Sequence, residues 1–292
     1  MKISVNGVKL FVEVFGSKLA IDGAKATERP TVVALHGGPS DHAHMMSMIA
    51  PLAEVAQVVL YDHRGCGRSE HGDPTLWRME QWADDVRGVC DVLGIEKPIV
   101  YGHSFGGMVA EMYAVRHPGH AAGLIFAGTC SRFDVKISAE GFRRQGGDVA
   151  ADAWSAFVDE PTAESTAGFV ENCRQLYTIS RKTNPDLEAR TITNIPLLFD
   201  FFKREAKLFD VNEDLAKVTA PVLILGGDQD PVLPPECQDE IEAALTNAPT
   251  QRFSFPNCGH QLGADAPEAL STALVDWVTS ISLWSPRGES NP

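Results

Sequence analysis

The sequence predicts an α/β fold: a mostly parallel central sheet with helices on both faces and a helical cap inserted late in the chain. Three observations predict it. Short apolar runs rich in β-branched residues alternate with segments of helical period through residues 1–130, and again through 215–283. Between them, over residues 131–214, strand signals vanish and helix-like segments remain. Third, Gly102-His103-Ser104-Phe105-Gly106 places a serine between two glycines, where a strand-like run at 98–101 meets a helical segment at 108–117 that stops before Pro118. The expected organisation is a core in two parts, 1–130 and 215–283, a cap at 131–214, and a C-terminal tail at 284–292 that frays.

Taken in order, residues 2–5 and 8–15 alternate apolar and polar side chains and predict an antiparallel pair. Residues 17–30 read as a polar loop. Thr31-Val32-Val33-Ala34-Leu35 is continuously apolar, as a strand covered on both faces must be, and ends in His36-Gly37-Gly38-Pro39-Ser40. A helix is expected over about 42–53, then a strand at 57–61 that ends in Asp62-His63-Arg64-Gly65-Cys66-Gly67-Arg68-Ser69. Residues 77–93 form an amphipathic helix with Met79, Trp82, Ala83, Val86, Cys90 and Leu93 on one face and Gly94 closing it. Another buried strand is read at 123–127.

Within the insertion, helical pieces are expected at 150–158, 165–177 and 197–208. The alternation resumes with a strand at 221–225, ending in Gly226-Gly227-Asp228-Gln229-Asp230-Pro231. A helix follows at 235–245, and a strand at 250–255 leads to Asn257-Cys258-Gly259-His260. The last helix is expected to start at Asp265, whose carboxylate would cap it with Glu268 three residues on.

Composition narrows the function. A net charge of −14 argues against nucleic acid and anionic membrane as partners. No run approaches membrane-spanning length, and residues 1–16 alternate like a strand rather than forming the apolar stretch of a signal peptide. The six cysteines are scattered with no C-x-x-C, which points to reduced thiols and a cytoplasmic protein. No histidine–carboxylate cluster has metal-ligand spacing, and the Gly65-Cys66-Gly67 turn lacks the features of a nucleotide-binding loop, so no cofactor is expected. Oligomeric state is not legible.

The chemistry centres on Ser104. In a strand–turn–helix elbow the serine sits on a strained turn, and the glycines two before and two after it are needed because a Cβ there would meet backbone. A serine hydroxyl needs a base, and the base an orienting acid. The order with such an elbow is serine, acid, histidine, each just past a strand at the same sheet edge. Asp230 and His260 meet that test, with Asp228 as the rival acid; the alternative for Asp228 is a turn residue bonding its own backbone. His117 and His120 precede a strand, at the wrong end of the sheet, and read as solvated. Two backbone N–H groups must face the developing oxyanion: Phe105, after the nucleophile, supplies one, and Gly38 the other, with Gly37 second. His36 is expected to brace that loop; His42, His44 and His63 read as surface or satisfied core residues.

Three stretches, His36-Gly37-Gly38-Pro39, Asp62 to Ser69, and Gly102-His103-Ser104-Phe105-Gly106-Gly107, together resemble the α/β-hydrolase superfamily, and within it the proline iminopeptidase-like group. Members of that group usually read H-G-G-P-G and D-Q-R-G, with Trp or Tyr after the serine; here stand Ser40, His63 and Phe105. Relatives that grip a free amino terminus can carry Glu directly after the triad acid, where this chain has Pro231. Asp159, Glu160, Glu171 and Glu205 are cap acids that could bind an amine or simply form a solvated face.

The resemblance implies a serine hydrolase without cofactor that cleaves a small ester or amide through an acyl-enzyme, a short peptide with a free N-terminal residue being the first amide to try. Carbon–carbon bond or lactone hydrolysis on the same triad, and a non-catalytic ligand-binding member of the fold, stay open. The cap is expected to set specificity, with Phe199, Phe201 and Phe202 in an apolar pocket wall.

Overall fold

The computed structural model describes residues 1–180 and 185–283; the tail expected at 284–292 lies outside the described residues. Its strands are β1 (Lys2–Val5), β2 (Val8–Phe15), β3 (Leu19–Asp22), β4 (Lys25–Glu28), β5 (Thr31–Leu35), β6 (Gln57–Tyr61), β7 (Ile99–His103), β8 (Gly123–Ala127), β9 (Val222–Gly227) and β10 (Thr250–Phe255). The main sheet runs β1-β2-β6-β5-β7-β8-β9-β10. β5 to β10 are mutually parallel, and β1 and β2 join antiparallel through the β2–β6 pair. β5, β7 and β8 are buried at every residue because helices cover both faces.

Each strand feeds two cores by alternation. Val33, Leu35, Val100, Phe126 and Ile224 face one core, with α2 (Met79–Leu93), α3 (Phe105–Arg116) and, beyond the insertion, α9 (Pro235–Ala244). Val32, Ala34, Tyr101, Ile125 and Leu223 face the other, with α1 (Met46–Ile49) and α11 (Pro267–Leu283). The segment expected as one helix near 42–53 is helical but broken: 3-10 turns at His42–Met45 and Ala50–Glu54 flank α1, and Pro51, which cannot donate an N–H, stands where the last turn restarts.

Residues 17–30 are not a loop but carry a two-stranded ribbon, with Leu19 opposite Glu28 and Asp22 opposite Lys25 across a turn in which Gly23 has φ 57°. Asp22-Gly23 is a hairpin signal. The reading missed it because the ribbon has no buried face: Ile21 is 79% exposed.

Between β8 and β9 the described chain is helical, apart from an isolated bridge between Arg132 and Asp210. α4 (Val135–Asp159) bends at Gly147, whose φ of 73° no helix residue adopts. α5 (Ala163–Asn172) opens with a capping box from Thr162 and Ser165. α6 (Pro185–Arg190) and α7 (Ile195–Asp200) follow, then a π-helical turn, Phe201–Glu205, and α8 (Ala206–Leu208). The expected cap at Asp265 is not formed. Asp265 ends a short turn, α10 (Leu262–Asp265), and its carboxylate accepts instead from the backbone N–H of Gly259, Ile179 and Ser180.

Candidate active site

The turn from β7 into α3 holds Ser104 at φ 56° and ψ −122°, a conformation that L-residues adopt only when the surroundings impose it. The surroundings are tight. A Cβ on Gly102 would lie 2.2 Å from the Gly106 carbonyl oxygen, and one on Gly106 would lie 2.2 Å from that of Leu35. The Ser104 N–H donates to the Ala127 carbonyl at 2.9 Å, and the Thr129 hydroxyl donates to the Ser104 carbonyl at 3.0 Å.

Ser104 Oγ lies 2.9 Å from His260 Nε2, and His260 Nδ1 lies 2.7 Å from Asp230 Oδ2. His260 and Asp230 are each 2% exposed, so this charge-assisted contact is shielded from water. The second carboxylate oxygen of Asp230 accepts from the Val232 and Leu233 N–H groups at 2.8 and 3.0 Å, which fixes its direction. Asp228, the rival, is exposed and accepts from the Cys258 N–H at 3.2 Å; it braces a turn and does not reach His260.

The loop after β5 faces Ser104. Gly37 passes so close that a Cβ there would sit 3.0 Å from the Ser104 Cβ. Its N–H donates to His44 Nε2 at 3.3 Å, while His44 Nδ1 donates to the Asp41 carbonyl at 3.1 Å. Burial pushes the His44 pKa down to about 3, so the ring is neutral and its tautomer set. With the Gly37 N–H engaged, Gly38 is the better placed of the two for an oxyanion. It lines the cavity at φ 57° with open space beside it. The Phe105 N–H, in the first turn of α3, has no acceptor within its own helix.

A buried histidine layer supports this floor. His36 Nε2 accepts from the His63 N–H at 3.0 Å, bracing the loop as expected, and burial lowers its pKa to about 4. His103 Nε2 donates to the His260 carbonyl at 3.1 Å, and its pKa is pushed down to about 3 by burial. Asp62, within the Asp62–Ser69 stretch, accepts from the backbone N–H of His42 at 3.0 Å and of Arg68 at 2.8 Å. It thereby pins the loops after β5 and β6 together. His117 lies elsewhere, paired with Asp84.

The helical segment is stitched to the loops after β5, β6 and β10. The Asn194 N–H donates to the Pro39 carbonyl at 2.9 Å, its side chain donates to the Gly65 carbonyl at 2.7 Å, and the Ile192 N–H donates to Asp41 Oδ2 at 3.2 Å. On the other side, Asp265 joins Ile179 and Ser180 to Gly259, and the Gln261 N–H donates to the Tyr177 carbonyl at 3.1 Å. Tyr177 stands edge-on to the His260 ring, centroids 5.3 Å apart.

Over Ser104 the two layers enclose a cavity of about 1010 Å³. Its wall is largely aromatic, including Trp154, Phe157, Phe169, Phe201 and Phe202. Phe201 and Phe202 both line this cavity. Phe199 does not: Leu198, Phe201 and Phe202 share a face at spacings of three and four, and Phe199 is turned about 100° away to pack on the surrounding core. None of the four cap acids lines the cavity. Asp159, Glu160 and Glu171 are exposed, and Glu205 is buried beneath α2, where it accepts from the Met79 N–H at 3.0 Å. Sequence reasoning missed Arg174, Arg190 and Trp154 as cavity residues, and Asp265 as a clamp; nothing in their spacing announces them. Among the described residues no group of three or more His, Cys, Asp or Glu side chains could hold a metal ion. No described helix is long and apolar enough to cross a membrane.

Comparison with known proteins agrees with this architecture. Residues 30–267 match the family model described as alpha/beta hydrolase fold. The chain is 28% identical over 268 residues to proline iminopeptidase PfmaB of Pestalotiopsis fici, covering 86% of this chain and 92% of that protein. The crystal structure of the Mycobacterium smegmatis proline iminopeptidase superposes with a TM-score of 0.75 at 22% identity, over 97% of this chain and 99% of that one. The meta-cleavage product hydrolase CumD of Pseudomonas fluorescens IP01 superposes with a TM-score of 0.71 at 19% identity, over 96% and 97%. With its sheet order, its serine elbow and a family match across both halves of the core, this chain belongs to the alpha/beta hydrolase family and within it resembles the proline iminopeptidase-like group.

Proposed function

We propose that the protein is a serine hydrolase that cleaves a small ester or amide through an acyl-enzyme, without a cofactor. The observation that carries the reading is the continuous chain of contacts from Ser104 to His260 to Asp230, at 2.9 and 2.7 Å. Ser104 Oγ attacks the carbonyl carbon while its proton passes to His260 Nε2. The carbonyl oxygen becomes an oxyanion that accepts from the Gly38 and Phe105 N–H groups. Collapse breaks the bond to the leaving group, which takes the proton from His260. Water then repeats the sequence on the acyl-enzyme, with His260 as base, and frees the carboxylic acid. Asp230 holds the His260 tautomer and stabilises the imidazolium.

Within this reading, substrates lacking a free amine are favoured. The cavity lining, among the described residues, includes no carboxylate that could pair with an ammonium. The named relatives nevertheless make an N-terminal proline peptide the right competitor to test. The experiment is fluorophosphonate labelling of the native protein and of Ser104→Ala, beside turnover of p-nitrophenyl butyrate and prolyl-β-naphthylamide. Labelling that survives Ser104→Ala, or turnover that does, overturns the proposal. A protein that binds ligands without turnover labels weakly or not at all and hydrolyses neither substrate.

A further inference from the structure

The cavity over Ser104 is built from three kinds of surface. The loops of Gly38, Ser104 and His260 form the floor, aromatic rings form much of the wall, and two arginines, Arg174 and Arg190, also line it. In a chain with 39 acidic and 25 basic residues, arginines readily find carboxylates. On the outer faces Arg116 holds Asp84, Arg144 holds Glu236, Arg204 holds Asp200, and Arg252 holds Asp239 and Glu242. Arg174 and Arg190 have no carboxylate partner among the described residues, although both sit in exposed positions that an acid could reach. Among the described residues Arg190 donates only through Nε, to the Asp186 carbonyl at 3.2 Å. A guanidinium presents a planar fork matched to a two-oxygen anion, and both arginines border the same space.

A second observation points to a ligand with an acceptor. Trp154 is 1% exposed and lines the cavity, and its indole N–H has no acceptor among the described residues. A buried donor without a partner is rare in a folded protein, and a bound molecule with an oxygen near it would satisfy it. The Trp154 indole and both arginines offer donors to this space.

We infer that the substrate is an organic anion: an ester or amide that carries, away from the bond to be cut, a carboxylate or phosphate gripped by Arg174 and Arg190, with its apolar body against the aromatic wall. The assignment deepens the serine-hydrolase reading and rests on it for the word substrate; the anion preference itself is a binding property that needs no chemistry.

Calorimetric titration of the full chain tests it with 4-phenylbutyrate, 3-phenylpropyl phosphate and the neutral 4-phenylbutyramide, on the native protein and on Arg174→Gln/Arg190→Gln. At least one anion binds the native protein about tenfold tighter than the amide, the scale of one charge-assisted hydrogen bond in a partly exposed site. Which anion is preferred separates the carboxylate from the phosphate source. The double variant, altered at two exposed positions and checked for an unchanged thermal midpoint, brings that preference to within about twofold, and raised salt weakens it in the native protein alone. An amide that binds the native protein as tightly as both anions overturns the inference. So does an anion that keeps its advantage in the double variant, since the oxyanion floor and His260 would then be its site. If Ser104 neither labels nor turns over p-nitrophenyl butyrate while the anion preference holds, the hydrolase reading falls and the anion site stands.

Discussion

Asp265 Oδ2 lies 2.8 Å from the Gly259 amide nitrogen, one residue before His260 in the chain. The same oxygen accepts from the Ile179 N–H at 2.9 Å, and Oδ1 accepts from the Ser180 N–H at 2.8 Å. Burial acts to raise the pKa of Asp265, but these hydrogen bonds outweigh it and hold the carboxyl below its ordinary value. One ionised side chain therefore sets the position of the histidine loop against the helical segment. Asp265→Asn keeps the size but turns two donors on that cluster of N–H groups. We expect kcat to fall by about tenfold to a hundredfold through misplaced His260, with faster proteolysis near residue 180 and no loss of global fold by circular dichroism. Unchanged kcat refutes this coupling.

The acid of the triad is tested by paired substitutions. Asp230→Asn leaves the His260 tautomer unheld and lowers kcat by on the order of 10⁴. Asp228→Asn keeps an acceptor for the Cys258 N–H on an exposed turn and changes kcat less than about threefold. Ser104→Ala and His260→Ala each lower kcat by on the order of 10⁴ or more with the fold intact. Steady-state hydrolysis of one p-nitrophenyl ester measures all four; a large effect at Asp228 with a small one at Asp230 would reverse the assignment.

Acid stability follows from the buried histidines. His36, His44 and His103 have pKa values lowered by burial to about 4, 3 and 3 from an ordinary value of 6.5. The unfolded chain takes up protons below 6.5 that the folded protein refuses until near 3 or 4. The histidine contribution to stability is thus complete above 6.5 and falls as pH drops through that window, by up to about 1.4 kcal/mol per pH unit for each histidine. Urea midpoints between pH 7.5 and 5 should show the decline. In His44→Gln the slope should be shallower, while kcat also falls because the Gly37 loop loses its brace.

Glu111 moves stability the other way. It is fully buried in α3, neither carboxyl oxygen has a hydrogen-bond partner among the described residues, and burial raises its pKa well above the ordinary 4.5. The folded protein keeps this proton while the unfolded chain releases it above 4.5, so the group destabilises the fold increasingly as pH rises past that value. Glu111→Met removes an unpaired buried polar group at similar volume and should raise stability by about 1–3 kcal/mol at neutral pH. The gain should be smaller near pH 4.5. Equal gains at the two pH values would mean the carboxyl is solvated or paired.

Phe201→Ala and Phe202→Ala should change KM and the rank order of acyl esters more than they change fluorophosphonate labelling of Ser104, because both rings line the cavity. Phe202 also packs against Trp154 and Phe157, so its loss should cost about 3–5 kcal/mol of stability as well. Phe199→Ala, off the cavity face, should leave the rank order alone. A shift in rank order from Phe199 with none from the other two would put the pocket wall elsewhere.

The core of this fold was legible because its chemistry is local. A serine between glycines, an acid just past β9 and a histidine just past β10 each follow from strand and turn signals within a few residues. The ribbon at 19–28 was not, since an exposed hairpin has no apolar alternation to read. Asp265 was misread for a related reason. A carboxylate before a helix looks the same whether it caps that helix or holds a loop folded beside it. Phe199 was counted with Phe201 and Phe202 because composition marks a cluster, whereas helical phase decides which ring meets the cavity. Arg174, Arg190 and Trp154 carry no local signature at all; they come to share a cavity with Ser104 only once the helical segment folds over the sheet.

The stitching of that segment at both Pro39 and Gly259 bears on how the protein can be rebuilt. A helical segment held at one edge could be exchanged as a module, with substrate range changing and turnover untouched. Here the Asn194, Ile192 and Asp265 contacts end on the very loops that carry Gly38 and His260. A chimera that swaps the segment without Asp41, Asn194 and Asp265 would transplant a pocket and detune the catalytic floor in the same step. Under the proposed function, what the protein selects and how fast it acts would be inherited together.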